Sequence, residues 1–348
     1  MAVFAMGCPR SANRPTASAP VSLPDRRIAG DGTVGAQACA PCHPDIHALH
    51  AKSRHARALA RFDAGVPAHL LPPEGTISNS DGVIVRSPGA AAISVPGEGD
   101  PLPFTLAFGS GKSGVTYAAT MGEELFEFHR SWHPATKRWY GTPGHERMPA
   151  QNLGMMYTTE QARTCIGCHA TALPAKGLVP EPKLLGIGCE ACHGPGKAHI
   201  SAMESTPRGP VSLRVLKGAT PELVNGVCGQ CHRARESISS DNSEVGQTNR
   251  FQMVGMLKSR CYLDSSPKMT CVTCHAPHGD APTRLDTYER ACMTCHVAPR
   301  STCPVNPSKG CVGCHMPKRP AFTNHAWPSS MADHWIRISG RASPSPRP

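Results

Sequence analysis

The chain is 348 residues long and carries a formal net charge of +11, with 17 Cys, 18 His and only 5% aromatic residues. Its composition and pattern exclude a collagen, a coiled coil and a mostly disordered chain, and it contains no apolar run of about 18 residues that could form a transmembrane helix. Because aromatic side chains are so few, we expect something other than Phe, Tyr and Trp to fill the interior.

The first 35 residues are rich in Ala, Pro, Ser and Arg and show no periodicity, so we expect residues 1–35 to be an export remnant and linker. Residues 1–7 are too short for the apolar region of an ordinary signal peptide. Gly7 before Cys8 loosely resembles the end of a lipoprotein signal, although Met6 fits that pattern poorly. Cys8 is therefore either a lipid-anchor site or an unimportant thiol of the leader.

A pentapeptide, Cys-x-x-Cys-His, then occurs seven times. Chance predicts about 0.04 matches in a chain of this composition, and the pattern is the attachment signature of c-type haem. Its cysteines are Cys39, Cys42, Cys165, Cys168, Cys189, Cys192, Cys228, Cys231, Cys271, Cys274, Cys292, Cys295, Cys311 and Cys314. The histidines that follow them are His43, His169, His193, His232, His275, His296 and His315.

The spacing of this motif suits covalent haem attachment. Two thiols three residues apart lie on one face of a helical turn and can each bond one porphyrin vinyl group. The next residue brings its imidazole under the iron as the proximal ligand. The motifs therefore predict seven covalently bound haem c groups. Zinc sites or disulfides are the alternative, although zinc does not require His directly after the second Cys each time.

Seven haems would account for both the composition and the charge. At about 50 residues per haem, the rings would form much of the core, and the protein should not fold properly without them. Each ferric haem adds a net charge of about −1, which brings the total to about +4 in the oxidised protein. The basic balance thus compensates the propionates, and we do not expect a nucleic-acid partner.

The remaining elements follow in chain order. Residues 36–62 should form the first haem-binding segment, with a helix over 45–61. Residues 63–157 contain short β-like runs at 82–85, 92–95, 104–108 and 115–117, which predict a small antiparallel β insertion. Six motifs crowd into 158–340, and 341–348 is expected to be a disordered tail. We therefore predict a mainly α and irregular fold with a haem-packed core and this small β insertion.

Several stretches around the motifs resemble the multihaem cytochrome c superfamily, which includes the tetrahaem cytochrome of ammonia oxidisers and the octahaem hydroxylamine oxidoreductases. They are the stretches at 38–56, 188–199, 259–278 and 311–317, the last followed by Asp333 and His334. The resemblance covers about 38–60 and 158–340 and is vague in the insertion.

The resemblance implies that His55, His199, His278 and His334 are sixth ligands of haem iron. His278 lies three residues after His275 and cannot cross the same ring, so it should serve a neighbouring haem. His325 and then His145 are the next candidates, followed by His129 or His133, each of which could instead be a surface histidine.

Two further cysteines, Cys261 and Cys303, lie shortly before the fifth and seventh motifs. They form either a disulfide, which an exported protein can keep, or two buried thiols. The resemblance favours the disulfide, because the family also places Cys at the position of Cys261.

These features predict an electron carrier between redox protein partners, such as a membrane quinol-oxidising complex or a terminal reductase. Its location would be periplasmic or otherwise exported, with Cys8 as an optional lipid anchor. The alternative is an oxidoreductase acting on a small nitrogen or sulfur compound at one open haem, and a haem-packed structural or sensor module is a third reading. No Cys-x-x-Cys-Lys motif occurs, which disfavours an ammonia-forming nitrite reductase. No catalytic residue is assigned.

Overall fold

The structure is a computed structural model, and it describes most of the chain from Ala29 to Arg337. The described residues are 29–30, 32–77, 82–95, 97–146, 148–149, 152–206, 212–232, 251–265, 268–297, 303, 309–321 and 327–337. The expectations for residues 1–28 of the leader, for Cys8 as an anchor, for His325 as a ligand and for the tail lie outside these residues.

Ten antiparallel strands form two sheets between Leu59 and Tyr157. They are β1 Leu59–Arg61, β2 Gly75–Thr76, β3 Val83–Ser87, β4 Ala90–Val95, β5 Glu98–Pro103, β6 Leu106–Phe108, β7 Val115–Met121, β8 Glu124–His133, β9 Arg138–Gly141 and β10 Gly154–Tyr157. One sheet has the order β1-β6-β7-β8-β10, with β9 also pairing with β8, and the other has the order β2-β3-β4-β5.

Short helices carry or flank the motifs. They are α1 Pro44–Ala51, α2 Thr159–Gly167, α3 Cys189–His193, α4 Lys197–Ser205, α5 Pro221–His232, α6 Gln252–Lys258, α7 Arg260–Ser265, α8 Leu285–Met293 and α9 Cys311–His315. Near the end, β11 Lys318–Pro320 pairs with β12 Ser330–Ala332 in an antiparallel hairpin. Among the residues described, none of these helices has the length and apolar character required to cross a bilayer.

The prediction of a mainly α and irregular fold with a small β insertion is wrong. The four β-like runs do overlap β3, β4, β6 and β7, but six more strands join them in the same region. The longest, β8, contains no β-branched residue, and its strand signal comes only from its aromatic residues Phe126, Phe128 and Trp132. Pairing with β7, β9 and β10 stabilises it, and Phe128 on its inner face is fully buried.

The helix predicted over 45–61 is also too long. It ends at Ala51, and Leu59 instead pairs with Phe108 in the first sheet. The side chain of Leu59 is buried there against the β core, so tertiary packing overrides the helical propensity of this Ala-rich stretch.

The hydrophobic core made by protein side chains lies in and beside the β region. Its centre is a group of aromatic rings in which Phe104 stacks on Tyr117 at 5.2 Å between centroids and contacts Phe128 at 5.7 Å. The hydroxyl of Tyr117 donates to the carbonyl of Leu70 at 2.8 Å, so its one polar group is paired. The β region is thus a rigid scaffold from which the first and second motifs extend.

Candidate functional site

A helical turn closes several of the Cys-x-x-Cys-His motifs. The backbone N–H of His43 donates to the carbonyl of Cys39 at 2.9 Å, and His296 donates to Cys292 at 2.9 Å in the same way. Two other motifs coincide with complete short helices, α3 and α9. This turn points both thiols to one side of the backbone, as attachment to a single porphyrin edge requires.

Motif cysteines from distant parts of the chain lie next to each other. Cys39 lies beside Cys189, and burial together with this neighbour raises the pKa of the Cys39 thiol to about 12. Cys228 lies beside Cys271, and this neighbour raises the pKa of Cys228. The fold therefore brings the first motif beside the third and the fourth beside the fifth.

The last motifs are also neighbours. Burial raises the pKa of Cys292 to about 11, and the nearby thiols of Cys311 and Cys274 contribute to the rise. The fifth, sixth and seventh motifs therefore lie close to one another.

Hydrogen bonds fix the tautomer of several motif histidines. The Nδ1 atoms of His169, His193 and His315 lie 2.9–3.0 Å from the main-chain carbonyls of Ala58, Arg214 and Arg337, respectively. The Nδ1 of His232 lies 2.9 Å from Oε1 of Gln252. A carbonyl oxygen only accepts, so Nδ1 carries the proton and Nε2 keeps the lone pair that a metal needs.

Three motif histidines face a second imidazole at nearly the same distance. The ring centroids are 6.2 Å apart for His193 and His278, 6.1 Å for His275 and His334, and 6.1 Å for His55 and His232. Two metal–nitrogen bonds of about 2.0 Å, extended to the ring centres, span about 6.3 Å. Each pair therefore has the spacing of two imidazoles on opposite sides of one iron.

The protonation of these histidines suits the same role. Burial lowers the pKa of His275 and of His278, and it lowers the pKa of His334 to about 4. The Nδ1 of His334 is also anchored, 2.9 Å from the carbonyl of Ala332. A neutral ring with a fixed Nδ1 proton is the form that coordinates a metal through Nε2.

His199 and His145 occupy different surroundings. His199 lies on α4, and its buried Nδ1 has no hydrogen-bond partner among the residues described. His145 is fully buried in the β region, where its Nε2 lies 3.0 Å from Oε2 of Glu127 and its Nδ1 lies 3.4 Å from Nδ1 of His129. The structure thus brings His145 together with His129 and not with a motif histidine.

Tyr157 completes the cluster around His145. Its hydroxyl lies 3.3 Å from Nε2 of His145, and burial together with the Glu127 carboxylate raises its pKa. His133 lies elsewhere on β8, with Thr136 and Ser329 beside its ring, and burial lowers its pKa. Glu127 was not among the residues predicted from the sequence. It lies two residues before His129 on β8, and residues two apart in a strand point to the same face.

Two more residues at the motifs were missed. Glu190, inside the third motif, is buried and accepts the backbone N–H groups of Val34, Gly35 and Gly196 at 2.8–3.0 Å. Gln252 holds His232, as described above. Cys261 and Cys303 are not joined by a disulfide bond in the structure.

Apolar side chains near the later motifs lie on the surface of the polypeptide. Leu263, Val272 and Val297 are 52%, 44% and 48% exposed, in contrast to the closed core of the β region. A flat apolar ring attached at the neighbouring cysteines would cover such side chains. The residues present therefore fit covalently bound haem in their thiols, their imidazoles and their apolar surface.

Known proteins share parts of this chain. The family model for cytochrome c554 and c-prime matches residues 126–194. The multiheme cytochrome MtrA of Shewanella baltica is 24% identical over 183 residues, which are 41% of this chain and 55% of that protein. Cytochrome c-554 of Nitrosomonas europaea is 46% identical over 41 residues, or 11% of this chain and 17% of that protein. The chain thus spans about half the length of the first relative and less of the second.

The fold itself resembles a solved structure. The outer cell wall cytochrome OcwA superposes with a TM-score of 0.54 at 15% identity, covering 88% of this chain and 80% of that one. That likeness concerns the fold alone. Together with the seven motifs and the paired imidazoles, these similarities support assignment of the chain to the multihaem cytochrome c superfamily.

Proposed function

We propose that this protein is a heptahaem c-type cytochrome that transfers electrons between redox partners outside the cytoplasm. The observation that carries the proposal is the set of three imidazole pairs at 6.1–6.2 Å, each joining a motif histidine to a histidine from another segment. Iron held by two imidazoles exchanges an electron with little change in bonding, which suits a carrier.

Different residues would attach the seven haems and ligate their irons. The fourteen motif cysteines would attach the rings and the seven motif histidines would be proximal ligands. His55 would be the second ligand opposite His232, His278 opposite His193, and His334 opposite His275. His199, His325 and His145 remain proposed ligands at the other sites, although the ring nitrogens of His145 lie 3.0 Å from Glu127 Oε2 and 3.4 Å from His129 Nδ1 in the β region. Haem iron supplies one-electron chemistry, and the protein orients it and excludes water.

The arrangement of the motifs in space supports electron transfer from one haem site to the next. The cysteine contacts join the first site to the third, the fourth to the fifth, and the fifth to the sixth and seventh. Neighbouring rings attached at such contacts would lie close enough to pass electrons. A periplasmic or otherwise exported location follows from covalent haem attachment, and a quinol-oxidising complex or a terminal reductase suits as partner. Cys8 is the proposed site of a lipid anchor.

Intact mass and electron counting test this proposal. The purified protein should exceed its polypeptide mass by seven haem masses, one for each motif. Reductive titration should then take up seven electrons. Two or more missing haems, or a steady consumption of electrons in the absence of a partner protein, would contradict it.

A second function, oxidation or reduction of a small nitrogen or sulfur compound, draws support from one observation. The buried group of Glu127, His145, His129 and Tyr157 lies beside the second motif, because the Cys165 thiol is near enough to influence Tyr157. Such a group could move protons during turnover at the second haem. Turnover of hydroxylamine or nitrite above about 1 s⁻¹, abolished by Tyr157→Phe or His145→Gln, would favour this function.

A further inference from the structure

The histidine of the fourth motif is held by a different kind of group from those of three other motifs. His169, His193 and His315 donate from Nδ1 to main-chain carbonyls, which no substitution can remove. His232 instead lies 2.9 Å from the side-chain oxygen of Gln252. The identity of residue 252 therefore decides what this imidazole donates to.

The position of Gln252 makes this contact specific. Gln252 is the first residue of α6, which packs against α5, the helix that ends at His232. Its Nε2 lies 3.8 Å from Sδ of Met331 on β12. Since the amide nitrogen is directed to the sulfur, the oxygen faces His232, and the side chain bridges the fourth motif to the hairpin that precedes His334.

The same bridge lies between two neighbouring sites. Cys228 of the fourth motif lies beside Cys271 of the fifth. The pair of His55 and His232 belongs to the fourth site, and the pair of His275 and His334 belongs to the fifth. A change at Gln252 thus acts on the fourth of two neighbouring haem sites, the fourth and the fifth.

We propose that Gln252 is a positioning residue that fixes the Nδ1 proton of His232 and thereby sets the reduction potential of the fourth haem relative to the fifth. The inference rests on the proposed function, because it requires His232 to ligate iron. An acceptor at Nδ1 makes the ligating imidazole more basic and so favours the oxidised iron. On reduction, one electron from the donor goes to the iron, the proton stays on Nδ1, and no bond is broken.

Two substitutions should shift the potential in opposite directions. Gln252→Glu supplies a stronger acceptor, and we expect the ratio of oxidised to reduced fourth haem at a fixed potential to rise about tenfold, a shift of about −59 mV for a one-electron couple. Gln252→Leu removes the acceptor and should move the same haem upward. Spectroelectrochemical titration of the intact holoprotein, with dithionite as reductant, should show the other six haems within error of their original potentials.

A matched control separates the hydrogen bond from simple charge. Gln230 lies between the two cysteines of the same motif, and its buried Oε1 has no hydrogen-bond partner in the structure. Gln230→Glu therefore adds a carboxyl group near the same haem without touching Nδ1. An equal downward shift in this variant would show that charge and not the hydrogen bond is responsible, and it would overturn the inference.

The remaining outcomes are also decisive. A single haem that moves down with Glu and up with Leu, while remaining low-spin, supports the inference. Unchanged potentials in both Gln252 variants, or a shift of the same sign in both, contradict it. If neither variant accumulates, Met331→Leu removes the contact that orients the amide, and a small upward shift of one haem is expected, whereas no shift counts against the inference.

Failure of the proposed function would look different. If His232 does not ligate iron, His232→Ala would leave the number of low-spin haems in the ferric protein unchanged. If His232 ligates iron but Gln252 has no effect on the potential, His232→Ala would convert one haem to high spin. The Gln252 variants would then keep wild-type potentials.

Discussion

The carboxylate of Glu190 accepts the backbone N–H of Gly35 at 2.8 Å, although 155 positions separate the two residues in the chain. The same carboxylate also holds Val34 and Gly196, so it joins the third motif to the segment that leads into the first. Cys39 and Cys189 meet beside this contact. A single buried acid therefore holds together two sites that the sequence places far apart.

Glu190→Gln should lower stability. An amide offers one acceptor oxygen and no charge in place of a carboxylate that accepts three N–H groups, and we expect a loss of about 1–3 kcal/mol. Thermal unfolding of the holoprotein, followed by circular dichroism, measures it. Glu181→Gln is the matched control, because that carboxylate is 61% exposed and pairs with the exposed Lys183. Equal melting temperatures for both variants would show that the Glu190 clamp does not contribute.

His278→Ala should convert one low-spin haem to high spin. Its ring faces His193 at 6.2 Å, and loss of the imidazole would leave the iron of the third site with one protein ligand. The covalent haem content should stay the same, because the attachment cysteines are untouched. Absorption and magnetic circular dichroism spectra report the change, and His69→Ala, at an exposed position of the turn Ala68–Leu70, should leave both spectra as they were.

Gly255→Ala should disturb the fifth site from a distance. A Cβ on Gly255 would lie 2.6 Å from the backbone nitrogen of Trp335 and 2.7 Å from the carbonyl carbon of His334. The backbone that carries His334 must then shift, so we expect a lower melting temperature and partial high-spin character of one haem. Gly30→Ala provides the comparison, since nothing lies within 4 Å of a Cβ there, and a wild-type spectrum for Gly255→Ala would refute the close packing.

Part of the acid sensitivity should come from His133. Burial lowers its pKa in the folded protein below the ordinary value of 6.5. The unfolded chain keeps the ordinary pKa of about 6.5, and the folded protein has the lowered one. At a pH between the two, the unfolded chain binds a proton that the folded protein does not, so stability falls as the pH drops below about 6.5. His133→Gln should therefore lose less stability than the wild type between pH 7 and pH 5 in chemical denaturation. Identical pH profiles would show that this histidine does not contribute.

The motif residues could be predicted from sequence because covalent attachment requires a fixed local spacing. The candidate distal ligands were harder, since a second imidazole comes from another segment and its partner depends on the fold. Spacing excluded His275 as the partner of His278, but only the structure places it beside His193. His145 illustrates the limit, because its hydrogen bond to Glu127 across the β region leaves no trace in the local sequence.

The β region was underestimated for a related reason. Strands such as β8 and β10 are held by cross-strand pairing and by aromatic residues packed on one face, and neither has the β-branched composition that marks a strand locally. Gln252 gave no signal at all. A glutamine at the start of a short helix is ordinary, and its importance comes from the position of His232.

Electron paramagnetic resonance of the fully oxidised protein tests the central claim most directly, because it counts low-spin and high-spin irons separately. We expect low-spin signals from at least three haem irons. They belong to the pairs His55 with His232, His193 with His278, and His275 with His334. Each signal should disappear with the alanine variant of its distal histidine, and the covalent haem count should stay constant. Predominantly high-spin iron, or low-spin signals unchanged by all three variants, would contradict the account.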